Sequence, residues 1–107
     1  MRTQVSEGLN LSSTAKTAVS EFFMERGVWP SGNIEAGLSD ATDIFGSYTA
    51  QVEVIDNVIE IQYGYDAHTL ISGQIVTLTG VDNSGSVNWI CASAGVIDNR
   101  HLPDACR

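Results

Sequence analysis

The side chains in this sequence that could carry covalent or acid–base chemistry are few, and the two cysteines come first. Cys91 and Cys106 stand fifteen positions apart and are the only cysteines among the 107 residues. Two cysteines allow one intrachain bridge. In an oxidising compartment that bridge would staple the tail to the segment ending at Cys91, and closing a loop of about 15 residues is worth roughly 3 kcal/mol on the chain-entropy model. The alternative is a pair of buried or free thiols in a cytosolic domain. The bridge is the favoured expectation, because a free thiol beside the C-terminus would be reactive and because cysteine is used nowhere else.

The remaining candidates read as structure. His68 lies in a connector and His101 follows Arg100 in the tail. Neither stands beside an acid–base partner, so both are expected to be exposed structural histidines. Ser13-Thr14-Ala15-Lys16 has the Ser-x-x-Lys spacing of penicillin-recognising enzymes. The Ser-Asp-Asn and Lys-Thr-Gly partners are absent and the chain is far too short for that fold, so this is a helix surface. No phosphate-binding glycine loop, Gly-x-Ser-x-Gly, Cys-x-x-Cys or His-Glu-x-x-His occurs. Asp82-Asn83-Ser84-Gly85 lacks the oxygen spacing and the distant glutamate of a calcium loop, and the same holds for Asp40 to Asp43. Asn10-Leu11-Ser12 is a glycosylation sequon by pattern only. The expectation is therefore no catalytic residue, no metal site and no cofactor.

Composition narrows the partners. The net charge is -8, from 13 acidic and 5 basic residues, and Arg2, Lys16, Arg26, Arg100 and Arg107 are scattered. No basic footprint for nonspecific nucleic-acid binding results. At this length one domain with a small core is expected, 1–107, and a staple would help it. No run approaches the roughly 18–20 apolar residues of a membrane span, so the chain as given is expected to be soluble. Nor does an apolar export signal follow Met1. A disulfide framework without an export signal conflicts, and the simplest resolution is that an upstream segment has been removed and Met1 is an expression start.

The elements that would position these residues follow from periodicity. Val5, Leu9, Ala15, Val19 and Phe22/Phe23 recur at three- and four-residue spacings, predicting an amphipathic helix over 3–26, with Arg26 in its last turn and Gly27 as the stop. Ala15, Val19 and Phe22 are expected to face a sheet. A break near Asn10 or Ser12 is left open by the pattern alone. Residues 27 to 47 have loop composition, and Trp29-Pro30 is expected to seal an edge of the core. A connection of that length is uncommon unless functional. From Tyr48 the period becomes two: residues 48 to 63 form a hairpin across Asp56-Asn57, and 75 to 79 with 87 to 91 a second across Asp82 to Gly85. One helix followed by four strands predicts an α+β fold, an antiparallel sheet packed on a helix.

Four stretches together resemble a known family. Trp89-Ile90-Cys91 and Leu102-Pro103-Asp104-Ala105-Cys106 are similar to the last strand and tail of the C-terminal disulfide region of class-a type IV pilins. Gln4-Val5-Ser6-Glu7-Gly8-Leu9 resembles a stretch well inside the long first helix of that family, and Gly27-x-Trp29-Pro30-x-x-Asn33 with Glu35-Ala36-Gly37-Leu38 resembles its loop between helix and sheet. The resemblance implies one continuous helix without the break, a C-terminal loop closed by Cys91 and Cys106, and an apolar helical half upstream that is missing here. It also implies a type IV major pilin, a structural subunit of the pilus and not an enzyme, held in the inner membrane before assembly machinery builds it into an extracellular helical filament. Surface attachment, twitching motility, biofilm formation, DNA uptake and phage adsorption are the roles such filaments serve. The alternatives are a minor pilin, a type II secretion pseudopilin, or a free-standing secreted adhesin. Major pseudopilins typically carry a calcium loop in place of the disulfide, so the cysteines speak against that one. The chain as given is expected to be monomeric, because its surface is acidic.

Overall fold

The computed structural model describes residues 2–69, 71–83 and 86–93. Helix α1 spans Arg2–Arg26 without interruption, so the break left open at Asn10 or Ser12 does not occur. The buried positions are Val5, Gly8, Ser12, Ala15 and Val19, alternating three and four residues apart, which places them on one face of a 3.6-residue helix. Ser12 is tolerated in that apolar stripe because its hydroxyl donates to the Leu9 carbonyl at 2.7 Å, leaving no buried donor unpaired. The helix stops where Gly27 adopts φ 71 and its N–H closes on the Phe23 carbonyl at 2.8 Å. This left-handed cap suits a residue without Cβ.

Phe22 departs from the predicted stripe. It is half-buried, with the Arg26 guanidinium over its ring at 5.0 Å, and the core cluster does not include it. Phe23, also half-buried, stacks its ring on Trp29 at 4.0 Å between centroids and likewise lies outside the core cluster. Three residues after Val19 is 300° around the helix and four is 40° past a full turn, so a five-residue apolar pattern does not choose between the two phenylalanines. Truncating Phe22 should cost less than a full core aromatic for this reason.

The sheet follows as β1 (Thr49–Ile55), β2 (Val58–Tyr63), β3 (Ile75–Asp82) and β4 (Val87–Ser93), all antiparallel and in the spatial order β1-β2-β3-β4. Asp56, with φ 54, turns the first hairpin between the partners Ile55 and Val58. The strand alternation is regular: Val52, Val54, Ile59, Ile61, Tyr63, Val76 and Leu78 are buried toward the helix, while Glu53, Glu60 and Thr77 occupy the outer face. The predicted helix on a four-stranded antiparallel sheet is the observed architecture. Strand β3 runs three residues past the predicted Thr79 because Gly80 does not end it. Gly80 pairs with Trp89, and its bare Cα leaves room for the rings of Trp89 and Trp29, which a Cβ there would meet at 3.1 and 3.2 Å. The Trp89 indole N–H reaches Ser20 of the helix at 3.2 Å.

The connection from helix to sheet is not structureless. It turns at residues 31–37, forms a short 3-10 helix at Ala41–Asp43, and buries Pro30 and Asn33. Trp29 packs against the core, as expected of an edge seal.

Candidate functional site

The side chains that join the elements are polar, and most cluster at the start of α1. The Glu7 carboxylate accepts from the Tyr48 N–H at 2.9 Å and from the Thr49 hydroxyl at 3.1 Å, tying the helix to the first residues of β1. Gly46 lies so close to that carboxylate that a Cβ would overlap it. The Tyr63 hydroxyl donates to the Val5 carbonyl at 2.6 Å, and the Gln4 side-chain oxygen accepts from the His68 N–H at 2.8 Å. Burial first, and then the Glu7 carboxylate, push the Tyr63 phenol well above its ordinary value, so it stays a neutral donor. Glu7→Ala should lower stability by about 1.5–3 kcal/mol, the range for hydrogen bonds to a charged group, and Glu7→Gln by less because one acceptor remains. Urea unfolding of the three proteins measures this; an alanine variant indistinguishable from the parent would dismiss the clasp.

The second polar junction is Asn33. Its amide donates to the Val52 carbonyl and to the Ser39 carbonyl, each at 3.0 Å, and its oxygen accepts from the Val54 N–H at 2.7 Å. The loop is thereby fastened along the side of β1 away from β2.

Concave surface occurs between α1 and this loop. One cavity of about 300 Å³ is lined by Leu11, Thr14, Ala15, Leu38, Ser39, Asp43, Ile44 and Phe45. It holds one carboxylate and two hydroxyls but no histidine, cysteine or lysine, so no acid–base pair or activated nucleophile is assembled there. Among the described residues no three His, Cys, Asp or Glu side chains come together in a metal-binding group. Ser13 and Lys16 lie on the helix, with the Ser13 hydroxyl turned to the Leu9 carbonyl at 3.5 Å. Asp40 and Asp43 frame the 3-10 helix, Asp43 donating its N–H to the Asp40 carbonyl at 2.9 Å, while Asp82 ends β3. In the sequon Asn10 is exposed but Ser12 is buried in the helix. Cys91 lies on β4 opposite Leu78, half-buried on the helix side of the sheet. Cys106 and His101 lie outside the described residues.

What is built, then, is a framework: one helix held along its length on a sheet, with a strapped loop and an outer sheet face. The sequence pattern of the pilins, proteins of bacterial filaments, matches residues 1–107. The chain belongs to the pilin family. It is 33% identical to a fimbrial protein of Neisseria meningitidis serogroup A, over 99% of this chain and 75% of that protein. With a type IV major pilin protein, PilE1, of Neisseria gonorrhoeae it shares 34% identity, covering 99% of this chain and 69% of the relative. The fimbrial protein EcpC of Eikenella corrodens is 35% identical over 99% of this chain and 70% of its own length. The pilin family is one of structural proteins, and the contacts that hold this shape are the Glu7, Asn33 and Tyr63 ties described above.

Sequence reasoning anticipated the Trp29 edge seal and, apart from Phe22, the buried helix stripe of this pilin. It missed Glu7, Asn33 and Tyr63 as anchors, because each acts on β-sheet or helix partners 19 to 58 positions away.

Proposed function

We propose that this chain is a structural subunit of an extracellular type IV pilus and not an enzyme. The observation that carries the reading is the family match over the whole of residues 1–107, on a chain folded as one helix laid along an antiparallel sheet. Its partners are other pilin subunits in a helical filament, together with the assembly machinery, and before assembly the subunit resides in the inner membrane. Among the described residues no helix is long and apolar enough to cross a membrane. Residues 1–107 act as one globular unit. The assembled filament supports attachment, twitching motility, biofilm formation or DNA uptake, and presents its outer surface to phage.

The C-terminal loop is closed by a Cys91–Cys106 disulfide in this reading. Support comes from the position of Cys91 at the inner face of an edge strand, where a bridge would pin the tail against the sheet. Intact-mass measurement after alkylation without reductant should show no added label. Two labels on the native protein would refute the bridge.

The function is tested by complementing a pilin-deletion strain with the full gene and imaging the cells by electron microscopy. Filaments labelled by an antibody to this chain are expected. Release of the protein as a soluble monomer, with no filaments, would overturn the subunit reading in favour of a secreted binding module.

A further inference from the structure

We propose that the cavity between α1 and the helix-to-sheet loop binds a quaternary ammonium group, whose methyls meet its apolar wall and the paired rings of Phe45 and Tyr65 while Asp43 balances the charge. The cavity holds about 300 Å³, the lower end of what small ligands occupy. Leu11, Ala15, Leu38, Ile44 and Phe45 make its wall apolar, Asp43 supplies its one carboxylate, and no lysine or arginine lines it. Phe45 and Tyr65 are large rings left in water, 56% and 65% exposed, and they stand edge to face with centroids 6.1 Å apart. Edge-to-face packing leaves ring faces open, and an aromatic face carries the negative end of the ring's quadrupole, which attracts cations. These rings are placed by backbone and not by burial. Tyr65 takes φ 54, a left-handed conformation that a bulky side chain adopts only where its neighbours impose it. The Gly64 N–H donates to the Tyr48 carbonyl at 3.1 Å and the Asp66 N–H to the Ser47 carbonyl at 2.9 Å, so Tyr65 is pinned on both sides to the segment that follows Phe45. Glu7 holds that segment in turn through the Tyr48 N–H. A pre-set pair of exposed rings adds nothing to the core, and it costs less to bring to a ligand than two mobile ones.

The charge of the ligand follows from the surroundings. Between Arg26 and Arg100 the sequence holds no lysine or arginine while acidic residues recur through it, Asp43 two positions before Phe45 and Asp66 directly after Tyr65. An anion is repelled here and a cation drawn in. The type of cation follows from the wall. A primary ammonium brings three N–H donors to a lining that is mostly apolar, whereas a quaternary one covers its charge with methyl groups and leaves nothing unpaired against Leu38 or Ile44. This inference stands apart from the pilus reading, since a cavity of the single chain carries it.

Amide NMR spectra of the full 107-residue chain, titrated with tetramethylammonium chloride, test it. Saturable shifts at the amides of Asp43, Ile44, Phe45 and Tyr65 are expected, with a millimolar Kd. Ammonium chloride, which lacks the methyls, and tert-butyl alcohol, which lacks the charge, should each bind about tenfold more weakly. Phe45→Leu and Asp43→Asn should each weaken tetramethylammonium severalfold in proteins that still fold, since both side chains are exposed. Glu60→Gln, on the outer face of the sheet, should leave binding unchanged. Should Phe45→Leu disturb the fold, Tyr65→Asn, which removes the other ring and suits the left-handed backbone, carries the same comparison. Choline and Nα-acetyl-trimethyllysine amide, titrated alike, tell a small free cation from a methylated side chain of a protein, the tighter of the two naming the source. Absence of saturable shifts overturns the proposal, as does equal binding of ammonium or tert-butyl alcohol, or binding untouched by the ring and Asp43 variants. So does a loss in Glu60→Gln that matches the loss in Asp43→Asn, which would leave only the net charge of -8 at work.

Discussion

Replacing Tyr63 with alanine should lower the stability of this pilin by about 3–5 kcal/mol, the cost of removing a buried aromatic ring from a core that cannot close over the space. Tyr63 is fully buried and its hydroxyl holds the Val5 carbonyl, so the alanine loses both packing and the tie between β2 and the start of α1. Tyr63→Phe separates the two. It keeps the ring and should cost about 1 kcal/mol, the net value of one hydrogen bond. The phenol also sets a pH dependence. Because its folded-state affinity for the proton is raised, the protonated form is favoured by folding; its contribution is complete below pH about 10 and is lost as pH rises beyond that. The parent's melting temperature should therefore fall at alkaline pH more steeply than that of Tyr63→Phe. Parallel alkaline profiles for the two proteins would remove Tyr63 as the titrating group, and an alanine variant melting within 2 °C of the parent would contradict its place in the core.

A side chain at Gly8 should be nearly as damaging. A Cβ there would meet the Ile61 Cγ2 and the Tyr63 hydroxyl oxygen at 2.6 Å, and the Tyr63 Cε1 at 2.8 Å. Two effects compete in Gly8→Ala. Alanine is the better helix former by about 1 kcal/mol, while forcing atoms into a filled core costs up to about 3 kcal/mol. The clash wins, with a net loss of about 1–2 kcal/mol, and Gly8→Val, with two further methyl groups, should lose about 3 kcal/mol. Thermal or urea melts measure both. Since Tyr63 supplies two of the three opposing atoms, the loss in Gly8→Ala should shrink when combined with a smaller residue at 63, a coupling that a double-mutant cycle reads directly. An alanine variant that gains stability, as a glycine replaced on an exposed helix face would, shows that the helix does not approach the sheet at this point.

What could be read along the chain was whatever depends on near neighbours. Spacings of three and four residues announced α1, alternation announced the strands, Gly27 marked the helix stop, and Asp56-Asn57 marked the first hairpin. These are properties of local backbone geometry, and the sequence carries them in any few consecutive turns or pleats. The resemblance placed the family from short motifs at the two ends and in the loop, and the match over residues 1–107 agrees with it. Tertiary structure alone decided which residues join these elements. How Phe22 and Phe23 are placed depends on the helix's rotation against the sheet, which brings Gly8 close to Ile61 and Tyr63 and stacks Phe23 on Trp29 at the edge of the core. Nothing in the loop's composition distinguishes Asn33 from any other turn asparagine until β1, some twenty positions later, is brought alongside it. Glu7, equally, looks like a solvated helix carboxylate until Tyr48 and Thr49 arrive. Contacts of this kind arise from chain closure, whose partners are chosen by the packed core as a whole, and so they leave no period or spacing in the sequence from which they could have been foreseen.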